Sequence, residues 1–124
     1  MKMPLKFDDE RPIFIQVSEW IEDAILSGAF PEESQIPSIT EFSVTCKINP
    51  ATALKGINLL VNKDIIYKKR GLGMFVATGA IDKLREERKE HFYKNFIENL
   101  ITEAKQLNLS ESDIKSMIER GFEK

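Results

Sequence analysis

One cysteine, Cys46, and one histidine, His91, are all the soft ligands that this chain of 124 residues offers. A single thiol excludes an internal disulfide, and one thiol with one imidazole is too few for a protein-built zinc site. No metal framework and no cofactor site is encoded. The chain also lacks a glycine-rich phosphate loop leading into a helix, and its carboxylates fall mostly on solvated helix faces, so no catalytic residue is assigned and an enzyme is not expected. Long apolar runs are missing too. Acidic Asp8, Asp9 and Glu10 stand near the N-terminus, where a secretion signal would need an apolar segment. A cytoplasmic protein with no membrane partner is expected.

An overall excess of positive charge is also lacking, since the net charge is −2. Its distribution is uneven. Residues 1–39 hold three basic side chains (Lys2, Lys6, Arg11) against eight acidic ones, a balance of −5. Residues 40–76 reverse it, with Lys47, Lys55, Lys63, Lys68, Lys69 and Arg70 against Glu41 and Asp64, a balance of +4. Local field governs docking on a charged partner more than net charge does, so the middle of the chain suits a polyanion.

What is present is a succession of helix signals followed by a hairpin. Pro12 opens a helix whose apolar residues Ile13, Val17, Trp20, Ile21, Ala24 and Ile25 recur at 3.6-residue spacing, and Gly28 stops it. Ser38 and Glu41 have capping-box spacing, and Ile39, Phe42 and Cys46 give a second, short helix its inner face. Cys46 is therefore read as a small buried hydrophobe rather than a redox sensor. After the turn Lys47-Ile48-Asn49, an Asn cap and Pro50 start a third helix, running to about Asn62. Ala53, Ile57, Leu60 and Val61 point inward, and Ala51, Thr52, Lys55, Asn58 and Lys63 point mostly outward. Ile65 to Tyr67 and Met74 to Ala77 then read as two strands joined by Arg70-Gly71-Leu72-Gly73. The expected fold is mainly α with a small β-hairpin wing, a winged helix-turn-helix domain at residues 10–78.

Residues 79–124 form a helical tail. Between Ile81 and Leu107 no Gly or Pro intervenes, and Leu84, Arg88, Phe92, Phe96, Leu100, Ala104 and Leu107 recur at steps of three or four, with Ile97 and Ile101 widening the stripe, so one long amphipathic helix is expected. Leu109, Ser110, Asp113 and Ile114 combine a capping box with a hydrophobic staple, giving a second tail helix that Gly121 would end. The stripe can pack on its own head. A helix of about 27 residues nevertheless spans about 40 Å, more than a small head covers, so Leu84, Phe92, Phe96, Leu100 and Ile101 are assigned to a homodimer contact. His91, beside these aromatics on a charged helix, is expected to be exposed rather than a pH sensor.

The ordered segments Pro12-Ile13-Phe14-Ile15-Gln16, Ser27-Gly28, Ile36-Pro37-Ser38, Ile48-Asn49-Pro50-Ala51-Thr52 and Arg70-Gly71-Leu72-Gly73-Met74-Phe75-Val76 resemble the DNA-binding domain of the GntR family over residues 11–77. The short two-helix tail looks like that of the YtrA subfamily. The resemblance implies a bacterial transcriptional regulator, usually a homodimer on a near-palindromic operator and often a repressor. Two positions depart from the family pattern: Thr40 and Lys55 stand where arginine is common. Lysine lacks the planar fork and threonine is short, so the operator should differ from the family's usual one.

The expected interface with double-stranded DNA follows. Helix three would enter the major groove with Ala51, Thr52 and Lys55 near base edges, while Asn49 is assigned to capping. Ser38 can cap its helix and donate to a phosphate, with Thr40 beside it. Lys68, Lys69 and Arg70, with Gly71 and Gly73 permitting close backbone approach, would meet the DNA backbone or, alternatively, serve as a solvated edge against aggregation. A rival reading keeps the fold as a protein-interaction module with weakened DNA binding. A small-molecule effector, if one is used, would have to bind at the dimer interface or between head and tail, because the chain has little room for a ligand cavity of its own.

Overall fold

A computed structural model of the chain describes residues 7–124; Lys2 and Lys6 of the acidic segment lie outside the described residues. The chain divides into two compact units, one ending at Arg85 and one over Glu86–Lys124.

The first unit carries three helices and a hairpin. Helix α1 (Ile13–Leu26) starts behind Pro12, whose carbonyl accepts from the Ile15 and Gln16 amides at 3.2 and 3.3 Å, and it ends at Gly28 with φ +86°. Before α2 (Ile39–Cys46) the Ser38 hydroxyl accepts from the Glu41 amide at 3.1 Å, and the Glu41 carboxylate accepts from the Ser38 amide at 3.1 Å. Two free amides of the first turn are thereby satisfied. Lys47 in the left-handed region (φ +55°) ends α2. Helix α3 (Pro50–Asn62) then begins with the Asn49 side chain accepting from the Ala51 amide at 2.7 Å. Strands β1 (Ile66–Lys69) and β2 (Gly73–Val76) pair antiparallel with Ile66 opposite Val76 and Lys69 opposite Gly73. Gly73 therefore belongs to a strand, and the wing turn is one residue shorter than the sequence suggests.

Val17, Ile21 and Ile25 of α1, Phe42 and Cys46 of α2, Ala53, Ile57 and Leu60 of α3 and Ile66 and Val76 of the hairpin form one apolar core. Trp20 anchors its edge, meeting Phe30 and Phe42 edge-on at 5.8 and 6.0 Å. Burial pushes the Cys46 thiol up from its ordinary value, which keeps it protonated and inert. Where α1 crosses α3, Gly56 lets the backbones touch: a Cβ there would stand 2.6 Å from the Phe14 carbonyl oxygen. The core does not stop at the wing. Ala80 and Leu84, in the first turns of α4 (Ala80–Phe92), are 0% and 1% exposed within the same cluster. Leu84, assigned to a dimer contact from its place in the stripe, is thus a core residue of the head with no surface left to offer a partner.

A further pairing gives the hairpin a third extended neighbour. The Glu33 amide donates to Val76 O at 2.8 Å, the Val76 amide to Ser34 O at 2.9 Å, and the Ile36 amide to Met74 O at 2.9 Å, so β2 is bonded on both sides. Two adjacent carboxylates fasten this segment. Glu32 accepts from the Gly79 and Ile81 amides at 3.0 and 3.1 Å, capping α4, while Glu33 accepts from the hydroxyls of Tyr67 (2.7 Å) and Thr78. Backbone amides hold the Glu32 carboxyl below its ordinary range, and the Thr78 and Tyr67 hydroxyls do the same for Glu33. Both pKa values are depressed in the folded chain. Their contribution is therefore fully present above the unfolded carboxylate value of about 4.3 and is lost as pH falls through the lower folded values. In an acid titration followed by NMR, the Gly79 and Ile81 amide resonances should shift in that window and stay still between pH 6 and 8. Movement in the neutral range would contradict the assignment.

In the second unit the rest of α4 leads into a π-helical turn at Tyr93–Ile97 and then α5 (Glu98–Gln106). The long helix expected from Ile81 to Leu107 is therefore interrupted by one wider turn, which shifts the facing of the stripe beyond it. Asn108 (φ +57°) and a Leu109 amide bond to Ala104 O at 2.8 Å end α5. Helix α6 (Glu111–Phe122) has its reciprocal cap, Ser110 with Asp113, at 2.9 and 3.0 Å. Gly121 does not stop this helix but lies inside its last turn. Among the described residues, no helix is long and apolar enough to cross a membrane.

Candidate nucleic-acid interface

The caps of α2 and α3 decide what the head presents. Because the Asn49 side chain is turned onto the Ala51 amide, the first two turns of α3 show Ala51 and Lys55, both exposed, with Thr52 half-buried. Ser38 and Thr40 are exposed at the start of α2. The Ser38 oxygen is engaged as an acceptor, which leaves its proton available to an anion. The 33–36 segment runs along β2 and reaches the α2 cap, Ser38, two residues later, so that cap and the wing are fixed to one another by the backbone.

At the wing, Lys68, Lys69, Arg70 and Gly71 are exposed. Gly71 has φ +79° and Gly73 φ +127°, conformations that a side chain resists. Gln35 lies under the tip: its Nε2 donates to Leu72 O at 2.7 Å, and a Cβ on Gly73 would stand 2.4 Å from that nitrogen. The tip is held in shape by a side chain from the preceding segment, a contact to which the strand pattern gives no clue.

The cationic count overstates the free charge. Lys63, on the outward list, reaches 3.1 Å to Glu22, a carboxylate on a largely buried residue of α1. The Lys69 ammonium lies 5.0 Å above the Phe75 ring, and that of Lys55 4.1 Å above the Phe14 ring. These contacts limit where the two ammonium groups point. Among the described residues, no group of His, Cys, Asp and Glu is disposed to hold a metal ion.

In the tail, Phe92, Phe96 and Ile101 are 56%, 63% and 41% exposed, and the two phenylalanine rings lean together at 5.5 Å. Leu100 is half-buried and lines, with Ala104, Ile114 and Ile118, an apolar trough of about 340 Å³ between α5 and α6. Met117, Ile118 and Phe122 of α6 are also exposed.

Three helices with a short turn before the third, followed by a hairpin bonded to the strand-like segment ahead of α2, define a winged helix-turn-helix protein. No family model matches the chain. A crystal structure assigned to a GntR-family transcriptional regulator from Bacteroides thetaiotaomicron is similar with a TM-score of 0.78 and 33% identity, covering 90% of this chain and 96% of that one. The uncharacterized HTH-type transcriptional regulator YhcF of Bacillus subtilis (strain 168) is 24% identical over 123 residues, 96% of this chain and 100% of YhcF. The DNA-binding domain of AraR, in complex with operator ORX1, matches with a TM-score of 0.57 and 27% identity over 62% of this chain and 99% of that domain. The chain belongs to the GntR family of DNA-binding transcriptional regulators.

Proposed function

We propose that the protein is a cytoplasmic, sequence-specific repressor of the YtrA-like type that binds a palindromic operator as a homodimer. Its DNA-binding head extends through Leu84, and the helices beyond it pair two copies. The observation that carries this reading is the combination, on one small head, of an exposed first turn of α3 with a glycine-tipped basic turn fixed in place by Gln35. The fit of the AraR domain, in a complex with its operator, over 62% of this chain supports DNA as the partner. Exposed Phe92, Phe96 and Ile101 support a second copy on the tail, because an apolar surface of this kind is costly to leave in water. Two heads about 34 Å apart would match successive major grooves.

Ala51, Thr52 and Lys55 are assigned to base edges. Ser38, Thr40, Lys68, Lys69 and Arg70, with the Gly71 and Gly73 backbone, are assigned to phosphates. Arg70→Ala should then weaken binding to every duplex alike, whereas Lys55→Ala should mainly reduce preference for one sequence, at roughly 1–3 kcal/mol per lost base contact. Binding of both variants to a selected duplex and to a scrambled one measures this. Equal, uniform losses would remove Lys55 from base reading.

A further inference from the structure

We propose that Phe14 is a positioning residue for DNA reading: its ring holds the Lys55 ammonium on the outer face of α3 and thereby contributes to operator discrimination without touching a base. The proposal rests on the reading of α3 as the recognition helix. Lys55 Nζ stands 4.1 Å from the centre of the Phe14 ring, well inside the distance of about 6 Å at which the negative face of an aromatic ring attracts a cation.

The two residues are far apart in sequence, and Gly56 brings them together. With hydrogen in place of a Cβ that would sit 2.6 Å from the Phe14 carbonyl oxygen, α1 comes down onto α3 one residue after Lys55. Phe14 is half-buried and its backbone is pressed onto α3 at Gly56, while Lys55 remains on the exposed side.

The consequence lies in preorganisation. A lysine is a point charge on a flexible stem, without the rigid fork that lets arginine aim at a base. Resting its ammonium on a ring settles most of that freedom when the chain folds, so less is lost when the side chain docks. A π contact engages only the N–H that faces the ring, and the ammonium's other donors stay available to acceptors on a base edge.

The test is a double-mutant cycle on the full chain. The probes are a duplex enriched by the wild-type protein from a randomised pool and a scrambled duplex of the same length, and the quantity read is the ratio of the two affinities. Phe14→Leu, which keeps apolar volume and removes the ring, should lower the ratio roughly three- to fivefold, in line with an exposed cation–π contact. Phe14→Tyr should restore it. In a Lys55→Met background Phe14→Leu should change the ratio no further. An unchanged ratio in Phe14→Leu, or the same loss with Lys55 already replaced, would overturn the proposal. So would a parallel loss on both duplexes, which would mark Phe14 as merely structural. If the wild-type protein enriched no sequence at all, the reading of α3 itself would fall.

Discussion

Gly56→Ala should cost the protein about 2 kcal/mol, lowering its melting temperature by roughly 10 °C at fixed protein concentration. The added methyl group meets the Phe14 carbonyl oxygen at 2.6 Å and the Val17 side chain at 3.0 Å. A backbone oxygen has no rotamer to escape into, so α1 and α3 must separate, and the core between them loosens. Alanine gains up to about 1 kcal/mol over glycine in a helix interior, which offsets part of the overpacking without reversing it. Gly121 is the internal control. It lies in α6 with open space where a Cβ would go, so Gly121→Ala should be neutral or stabilise by a few tenths of a kcal/mol near a helix end. Thermal unfolding of the two variants side by side checks the contrast, and equal effects would mean that the α1–α3 crossing is looser than described.

The second large effect concerns where the head ends. A chain cut after Arg85 should stay folded and monomeric and bind a two-half-site duplex about a hundredfold or more weakly than the full protein, because linkage of the two heads is lost. A chain cut after Thr78 should not fold stably. It loses Leu84, whose truncation to alanine alone would cost about 2–5 kcal/mol, together with Ala80 and the amides of Gly79 and Ile81 that Glu32 caps. Circular dichroism and sedimentation separate these outcomes. A well-folded shorter fragment would show that α4 is dispensable to the head, and a dimeric longer one would show that pairing does not need the tail.

Features set by local spacing were legible in the sequence. Ser38 with Glu41, Asn49 before Pro50, and Ser110 with Asp113 each cap a helix with side chains two or three residues away, so their geometry is written in the spacing. The wing was legible because strand formers flank two glycines. Long-range features were not. Residues 33–35 are polar and Ile36 is a lone apolar residue before Pro37, with no alternation to mark a strand, and the segment pairs with β2 only because the fold brings it there. Leu84 continues the tail's helical stripe in sequence, yet the head's core claims it. A π turn has no residue signature, and Lys55 carries no mark of the aromatic ring beneath it. Gly56 was the one readable clue, since a glycine inside a helix is costly unless something approaches closely.

The measurement that bears most directly on the central claim is the salt dependence of binding to a duplex selected by the protein. If Lys68, Lys69 and Arg70 displace counterions from phosphates, affinity should fall steeply and linearly on logarithmic axes between about 50 and 200 mM salt, and Arg70→Ala should make the slope shallower by about one for each bound head. A flat response, or a slope that Arg70→Ala leaves unchanged, would contradict a DNA-binding face built from α3 and the wing.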